Sequence, residues 1–322
     1  MKGKGYNPAF LGKHLKVPLP QLSVTRKADL APVTGSRNMV LRYDHHSVAL
    51  SRKRKFSLFT AVNIDGSAWQ SIKRASLFPG GTDRWEVDAR ARDYQWGAEL
   101  YTIEGSDFDR GHLVKREDPQ WGRDAETAMN AARSTFYYAN CVPQVEDLNQ
   151  REWRSLEDYI LKKQSARNKI RINVFTGPVL SDDDPVFMRP VNGNEVQIPA
   201  LFWKMIYFTP DGENLYRVAF LMGQKELLLK RKIARLKEEE LERAPAPKPP
   251  FFLDFEDSAT YQVNSSFVEQ LTQLSFAPAN DPYVDQRPAK IVLKAVEVGT
   301  DGLERFPGSG GTEYELEGLV LR

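Results

Sequence analysis

Histidine is scarce in this chain: His14, His45, His46 and His112 are the four among 322 residues. Only His112 stands among other polar functional groups, in Asp109-Arg110-Gly111-His112. An imidazole, with an ordinary pKa near ~6.5, suits taking a proton at neutral pH. Beside it, Arg110 offers a planar, permanently charged fork that fits phosphate oxygens. Gly111 between them reads as a pivot where the backbone turns sharply, so that both side chains converge. Two more polar runs follow: Tyr138-Ala139-Asn140-Cys141-Val142-Pro143-Gln144, and the stretch from Asn149 to Glu157.

Those residue types match the needs of phosphodiester hydrolysis. The reaction needs a base for water, a cation for the charge growing on phosphorus and the leaving oxygen, and donors for the non-bridging oxygens. His112 fits the first role and Arg110 the third. Asn149 fits the second, because magnesium takes oxygen ligands, keeps several waters and binds substrate phosphate directly. Glu157 lies about 12 Å further along a helix, on the face of Asn149 and Trp153, leaning back toward the N-terminus. That reach favours a metal-bound water over direct ligation. Asn140 and Gln144 are candidates to fix the His112 ring or the water shell. Asp109 orients its neighbours, and Lys115 and Arg116 are candidate phosphate contacts. Each assignment has a plain alternative: a structural His, an Arg110 salt bridge to Asp107 or Asp109, an N-capping Asn149, a surface Glu157.

The elements around these residues are partly legible. Ser47–Leu50 and Phe56–Ile64 read as a hairpin across the basic run Arg52-Lys53-Arg54-Lys55. Apolar residues occupy both parities of the second strand, so burial on both faces is expected. A helix is expected at about 123–133, a short strand at Thr135–Ala139 leading into Asn140, and a helix from about 150 to 165. Ile170–Phe175 is a strand ending at Thr176-Gly177-Pro178, and Leu201–Phe208 and Leu215–Leu221 are two more. A charged helix is expected over Glu226–Arg243, running into the stiff linker Ala244–Pro250. A short helix near Ser266–Leu274 and late strands at Lys290–Val298 and Tyr314–Leu321 form the far edge of the main sheet. Strands and helices without a βαβ rhythm imply an α+β fold with a mostly antiparallel central sheet flanked by helices. Residues 1–38 read as an extended surface arm, with Val17-Pro18-Leu19-Pro20 held extended by its prolines. Residues 39–322 form one domain, interrupted by a charged insert and Pro-rich linker at about 225–252.

Composition narrows the class. Hydrophobic content of 41% and charged content of 27% are ordinary for a globular protein. The net charge of +2 does not decide on a polyanionic partner, for which a local basic groove matters more. The single Cys141 excludes an intramolecular disulfide and a Cys-based zinc site. No apolar run approaches the ~20 residues of a membrane helix, and no signal peptide is apparent. A cytoplasmic protein with no membrane contact is the expectation.

Asp109-Arg110-Gly111-His112, then Asn140 with Pro143-Gln144, then Leu148-Asn149-Gln150, Trp153 and Leu156-Glu157, resemble the signature of the DNA/RNA non-specific endonucleases. These are the ββα-metal, or His-Me finger, nucleases that include endonuclease G. The resemblance extends more weakly to Val174–Pro178 and Pro199–Lys204. It implies a ββα-metal finger carrying His112 as general base, Asn149 as direct magnesium ligand and Glu157 holding the metal's water shell. Manganese would substitute for magnesium. Arg110 would stabilise the transition state, with Asn140 and Gln144 in support. A second arginine is expected before the motif; Arg84, in Arg84-Trp85-Glu86-Val87-Asp88, matches best, with Arg74 as the other choice. Implied products carry 5′-phosphate and 3′-hydroxyl ends, from DNA and RNA alike, because the contacts are to backbone.

A non-specific nuclease in its own cytosol is toxic, so a regulated effector is expected, in phage defence or as a toxin held by an inhibitor protein. A homodimer is the other partner considered. The competing readings are an inactive nucleic-acid-binding module on the same fold, and an interaction protein working through the Glu226–Arg243 segment.

Overall fold

The computed structural model describes residues 3–146, 169–237, 256–257, 259–296, 313–317 and 320. Its centre is an eight-stranded sheet in which every neighbouring pair is antiparallel. From one edge the order is Ala289–Lys290, Thr260–Val263, Tyr216–Gly223, Leu201–Phe208, Arg171–Val179, Ser57–Asp65, His46–Leu50 and Leu41–Arg42. The fold is α+β with a mostly antiparallel sheet, as the sequence pattern implies.

The hairpin forms as expected, with His46–Leu50 paired to Ser57–Asp65. All nine residues of the second strand are buried, which accounts for its apolar residues at both parities. The basic turn between them is anchored: Arg54 bonds to Asp184 at 2.7 Å and to the carbonyls of Ser181 and Gln197. Lys55 lies over the Trp96 ring.

Several elements differ from expectation, each for a local reason. The Arg171–Val179 strand runs straight through Thr176-Gly177-Pro178 instead of ending there. Gly177 serves close approach: a Cβ there would lie 2.8 Å from the Leu58 carbonyl and 3.0 Å from the Trp203 ring. Tyr138–Asn140 is a 3-10 turn, and the strand begins one residue later, at Cys141–Gln144. The charged helix is short, Lys225–Lys230, followed by Lys232 in a left-handed conformation (φ 56°). The chain then pairs Ala234–Arg235 with Val186–Phe187. The remainder of the expected helix, from residue 238, and the Pro-rich linker lie outside the described residues. At the far end, Ala289–Lys290 joins the main sheet, whereas Val292–Val296 and Glu313–Glu317 form a separate two-stranded sheet.

From Gly3 onward the described N-terminal segment is packed against the core. Tyr6 and Val17 belong to the main core, and Tyr6 donates from its hydroxyl to the Val17 carbonyl at 2.8 Å. The Asn7 amide donates to Asn63 Oδ1 at 2.7 Å, tying the segment to the sheet. Gln21–Leu22 pairs with Leu274–Ser275. The prolines keep the segment extended; Tyr6, Leu15 and Val17 between them supply apolar surface that only the core can cover.

Candidate active site

The polar motif forms a small ribbon apart from the main sheet. Asp109–His112 pairs antiparallel with Cys141–Gln144, in the register Asp109↔Gln144, Arg110↔Pro143, Gly111↔Val142 and His112↔Cys141. Strand alternation therefore puts Arg110 and His112 on one face. Asp109, Gly111 and Gln144 occupy the other. The convergence of Arg110 and His112 thus comes from the pleat and not from a turn at Gly111, which is absent from the glycines with positive φ. Gly111 is glycine because Gln144 folds over it: an added Cβ would lie 2.6 Å from Gln144 Cγ and closer still to its amide.

Asn140 secures the chain just beyond His112. Fully buried, it accepts from the Val114 amide at 3.0 Å and donates to the carbonyls of Val114 and Thr135, each at 3.0 Å. Its own carbonyl accepts from the Leu113 amide. Its support of His112 runs through the backbone and not the ring.

His112 sits in an aromatic box. Trp85 lies 4.6 Å from its ring and Phe136, edge-on, 4.9 Å. Trp85 also packs on Tyr138, which stacks on Tyr101. Burial in this box pushes the His112 pKa down to about 3, with the Arg74 and Arg116 charges acting in the same direction and Asp83 against them. Arg110 lies over the Tyr101 ring at 5.5 Å. Its charge and hydrogen bond work against the burial that raises the Tyr138 pKa.

Three side chains of this ribbon hold buried polar atoms without a hydrogen-bond partner: Arg110 Nε, His112 Nε2, and both ends of the Gln144 amide. Buried polar groups are normally satisfied, so such a concentration marks a place where something else binds or where strain is kept. Among the described residues no group of three or more His, Cys, Asp and Glu is placed to cage a metal.

The other expected residues divide. Arg84 is exposed, and it is its neighbour Trp85 that touches His112. Arg74 is within electrostatic range of His112 and pairs with Asp83. Lys115 and Arg116 both pair with Glu117, at 3.2 and 2.9 Å. Arg116 also donates to Gln120 and to the Ile72 carbonyl. Asn149, Trp153 and Glu157, with the helix expected from about 150 to 165, lie outside the described residues. Nothing in the sequence pattern marks the aromatic box. Trp85 stands there only as the neighbour of Arg84, and Phe136 and Tyr138 read as strand residues.

Comparison with known proteins shows the family to which the chain is similar. The family model described as DNA/RNA non-specific endonuclease matches residues 29–282. An uncharacterised protein of Sinorhizobium fredii, y4fB, is 38% identical over 237 residues, covering 70% of this chain and 33% of that protein. Mitochondrial endonuclease G of Bos taurus is 30% identical over 221 residues, covering 63% of this chain and 71% of the relative. The chain therefore spans about a third of the Sinorhizobium relative. The solved endonuclease G complex with its inhibitor EndoGI is 15% identical, with a TM-score of 0.48, covering 73% of this chain and 84% of that one.

Proposed function

Since the chain belongs to the DNA/RNA non-specific endonuclease family, we propose that it hydrolyses DNA and RNA phosphodiester bonds at the Asp109–His112 ribbon. One observation carries the reading: the register that puts His112 and Arg110 on one face, each with a buried nitrogen left unpartnered. His112 takes the proton of the attacking water. Its Nε2 is sealed in the aromatic box, so Nδ1 is the nitrogen left for that task. Burial keeps the ring neutral through the physiological range; the negative charge of a bound phosphate beside it would raise its basicity toward the range a general base needs. Arg110 holds the non-bridging oxygens and balances their growing charge. Trp85 and Phe136 keep water from one side of the base.

A divalent cation, magnesium with manganese able to substitute, is the cofactor of this reading. The unpartnered Nε of Arg110, on the face it shares with His112, fits a site completed by phosphate and hydrated metal. Asn149 would hold the ion and Glu157 its waters, on the motif match alone. Bound there, it supplies charge neutralisation and a more acidic water. Arg84 and Arg74 remain candidates for the second arginine; the electrostatic reach of Arg74 to His112 favours Arg74. Products would carry 5′-phosphate and 3′-hydroxyl ends.

The biological role proposed is a regulated cytoplasmic effector, in phage defence or as a toxin held by an inhibitor. Its motive is the conflict between non-specific cleavage and the cell's own nucleic acid. Expression without a partner should be toxic; harmless expression of an active chain would contradict it. The chemistry is tested by incubating purified protein with plasmid and with RNA, in magnesium and in EDTA. Metal-dependent cleavage of both, with ligatable 5′-phosphate ends, is expected. No cleavage with magnesium or manganese would refute it.

A further inference from the structure

The ribbon carrying His112 needs an anchor to the main sheet, and one side chain supplies a dense set of bonds. Gln224 follows the Tyr216–Gly223 strand and is fully buried. Its Oε1 accepts from the Val145 amide at 3.0 Å. Its Nε2 donates to the Pro143 carbonyl at 3.1 Å and to the Pro199 carbonyl at 2.8 Å. Its own backbone amide donates to the Ala200 carbonyl at 2.9 Å.

The pattern has a definite geometry. The Pro143 carbonyl and the Val145 amide flank Gln144, and together they form the face that a neighbouring β-strand residue would satisfy. The Gln224 carboxamide takes that place, as a one-residue substitute for a strand. The bond to Pro199 ties the same amide to the chain just before the Leu201–Phe208 strand. The ribbon is thus fixed to two central strands of the sheet through a single side chain. The paired register then carries that fixation across, since Pro143 faces Arg110 and Gln144 faces Asp109.

We propose that Gln224 is a positioning residue for catalysis: it sets the place of the Arg110–His112 face relative to the sheet without touching substrate. This rests on the nuclease reading above. Replacement by another residue of similar length should leave the sheet intact while the ribbon shifts. A displacement of about 1 Å in a reacting group costs on the order of 100-fold in rate.

Two variants test this. Gln224→Met keeps the length and loses every side-chain hydrogen bond; Gln224→Glu keeps the acceptor for Val145 and, ionised, loses both side-chain donors. Each is measured by thermal melting, by kcat and KM on plasmid, and by hydrogen exchange resolved by peptide. Both should melt cooperatively above the assay temperature. The kcat should fall about 10–100-fold, with KM within about threefold. Exchange should quicken in the Cys141–Val145 peptide and stay unchanged in the Arg171–Val179 strand. A kcat within twofold of wild type in a folded variant overturns the inference, as does unchanged ribbon exchange. Loss of cooperative melting in both variants also overturns it, since Gln224 would then hold the whole fold. If wild-type protein does not cleave at all, the nuclease reading fails with it; the ribbon exchange still reports whether Gln224 anchors the ribbon.

Discussion

Replacing Gly111 with alanine strikes the ribbon at its tightest point. The new Cβ would lie 2.6 Å from Gln144 Cγ, with the amide nearer still. Contact so close to the Gln144 backbone cannot be relieved by moving the far end alone; the whole side chain must change rotamer. Gln144 is fully buried, so it has little room. Overpacking of this kind costs about 1–3 kcal/mol. Gln144→Ala should be close to neutral by itself. It loses one buried methylene, worth about 0.8 kcal/mol, and some packing. It also removes an amide with neither end partnered, a relief of about 1–3 kcal/mol. In the double variant the clash has no partner, so the Gly111→Ala cost should vanish. The coupling from a double-mutant cycle in urea is therefore expected at about 1–3 kcal/mol in favour of the pair. Equal destabilisation by Gly111→Ala in both backgrounds would refute this reading of why glycine stands at position 111. An unperturbed stability in the single variant would refute it as well.

Further outcomes follow from charges and burial. Burial pushes both His46 and His112 down to about 3, below the ordinary value of ~6.5. The folded state then binds fewer protons than the unfolded one, so their contribution to stability is complete above about pH 6.5 and declines as pH falls toward 3. Each can steepen that decline by at most about 1.4 kcal/mol per pH unit. Urea midpoints that stay flat from pH 7 to 4 would contradict the burial of these rings. Arg54 and Asp184 form a largely buried pair at 2.7 Å. Asp184→Ala should cost about 3–5 kcal/mol, because it strands the guanidinium; a loss under 1 kcal/mol in denaturant titration would show that the pair does not brace the loop. Glu117 engages both Lys115 and Arg116. Glu117→Gln should loosen the hold on both at this carboxylate, lower KM a few-fold and steepen its salt dependence by roughly one to two phosphates' worth. An unchanged salt slope would mean that these cations do not face the substrate.

Much of the framework is legible before any coordinates, and for identifiable reasons. The hairpin at His46–Leu50 and Ser57–Asp65 announces itself by a β-rich run beside a basic turn. The Leu201–Phe208 and Tyr216–Gly223 strands do so by their flanking turn at Pro210-Asp211-Gly212. Local signals mislead where a distant contact sets the residue's purpose. Gly177 reads as a strand end but exists to admit Trp203. Gly111 reads as a turn but exists to admit Gln144. The packing of Tyr6 and Val17 against the core depends on partners far along the chain, which proline content near them cannot reveal. The charged run after Lys225 has helical composition, yet it stops at Lys230 because Ala234–Arg235 gains strand partners at Val186–Phe187.

The site divides in the same way. His112 and Arg110 stand out by residue type and neighbourhood, and the ribbon register brings them onto one face. The aromatic box of Trp85 and Phe136 is invisible to motif reading, because large aromatic residues far apart in sequence usually signal ordinary core. Gln224 is hidden for the same reason: its importance lies in three bonds to Pro143, Val145 and Pro199, none of them near in sequence.

His112 as the proton acceptor is the step on which the proposed chemistry depends most directly. Plasmid cleavage by His112→Ala, measured under single-turnover conditions with and without added imidazole, tests it. A fall of about 100- to 10,000-fold, partly restored by imidazole, is the expected result. Cleavage by His112→Ala at the wild-type rate, with no response to imidazole, would contradict it.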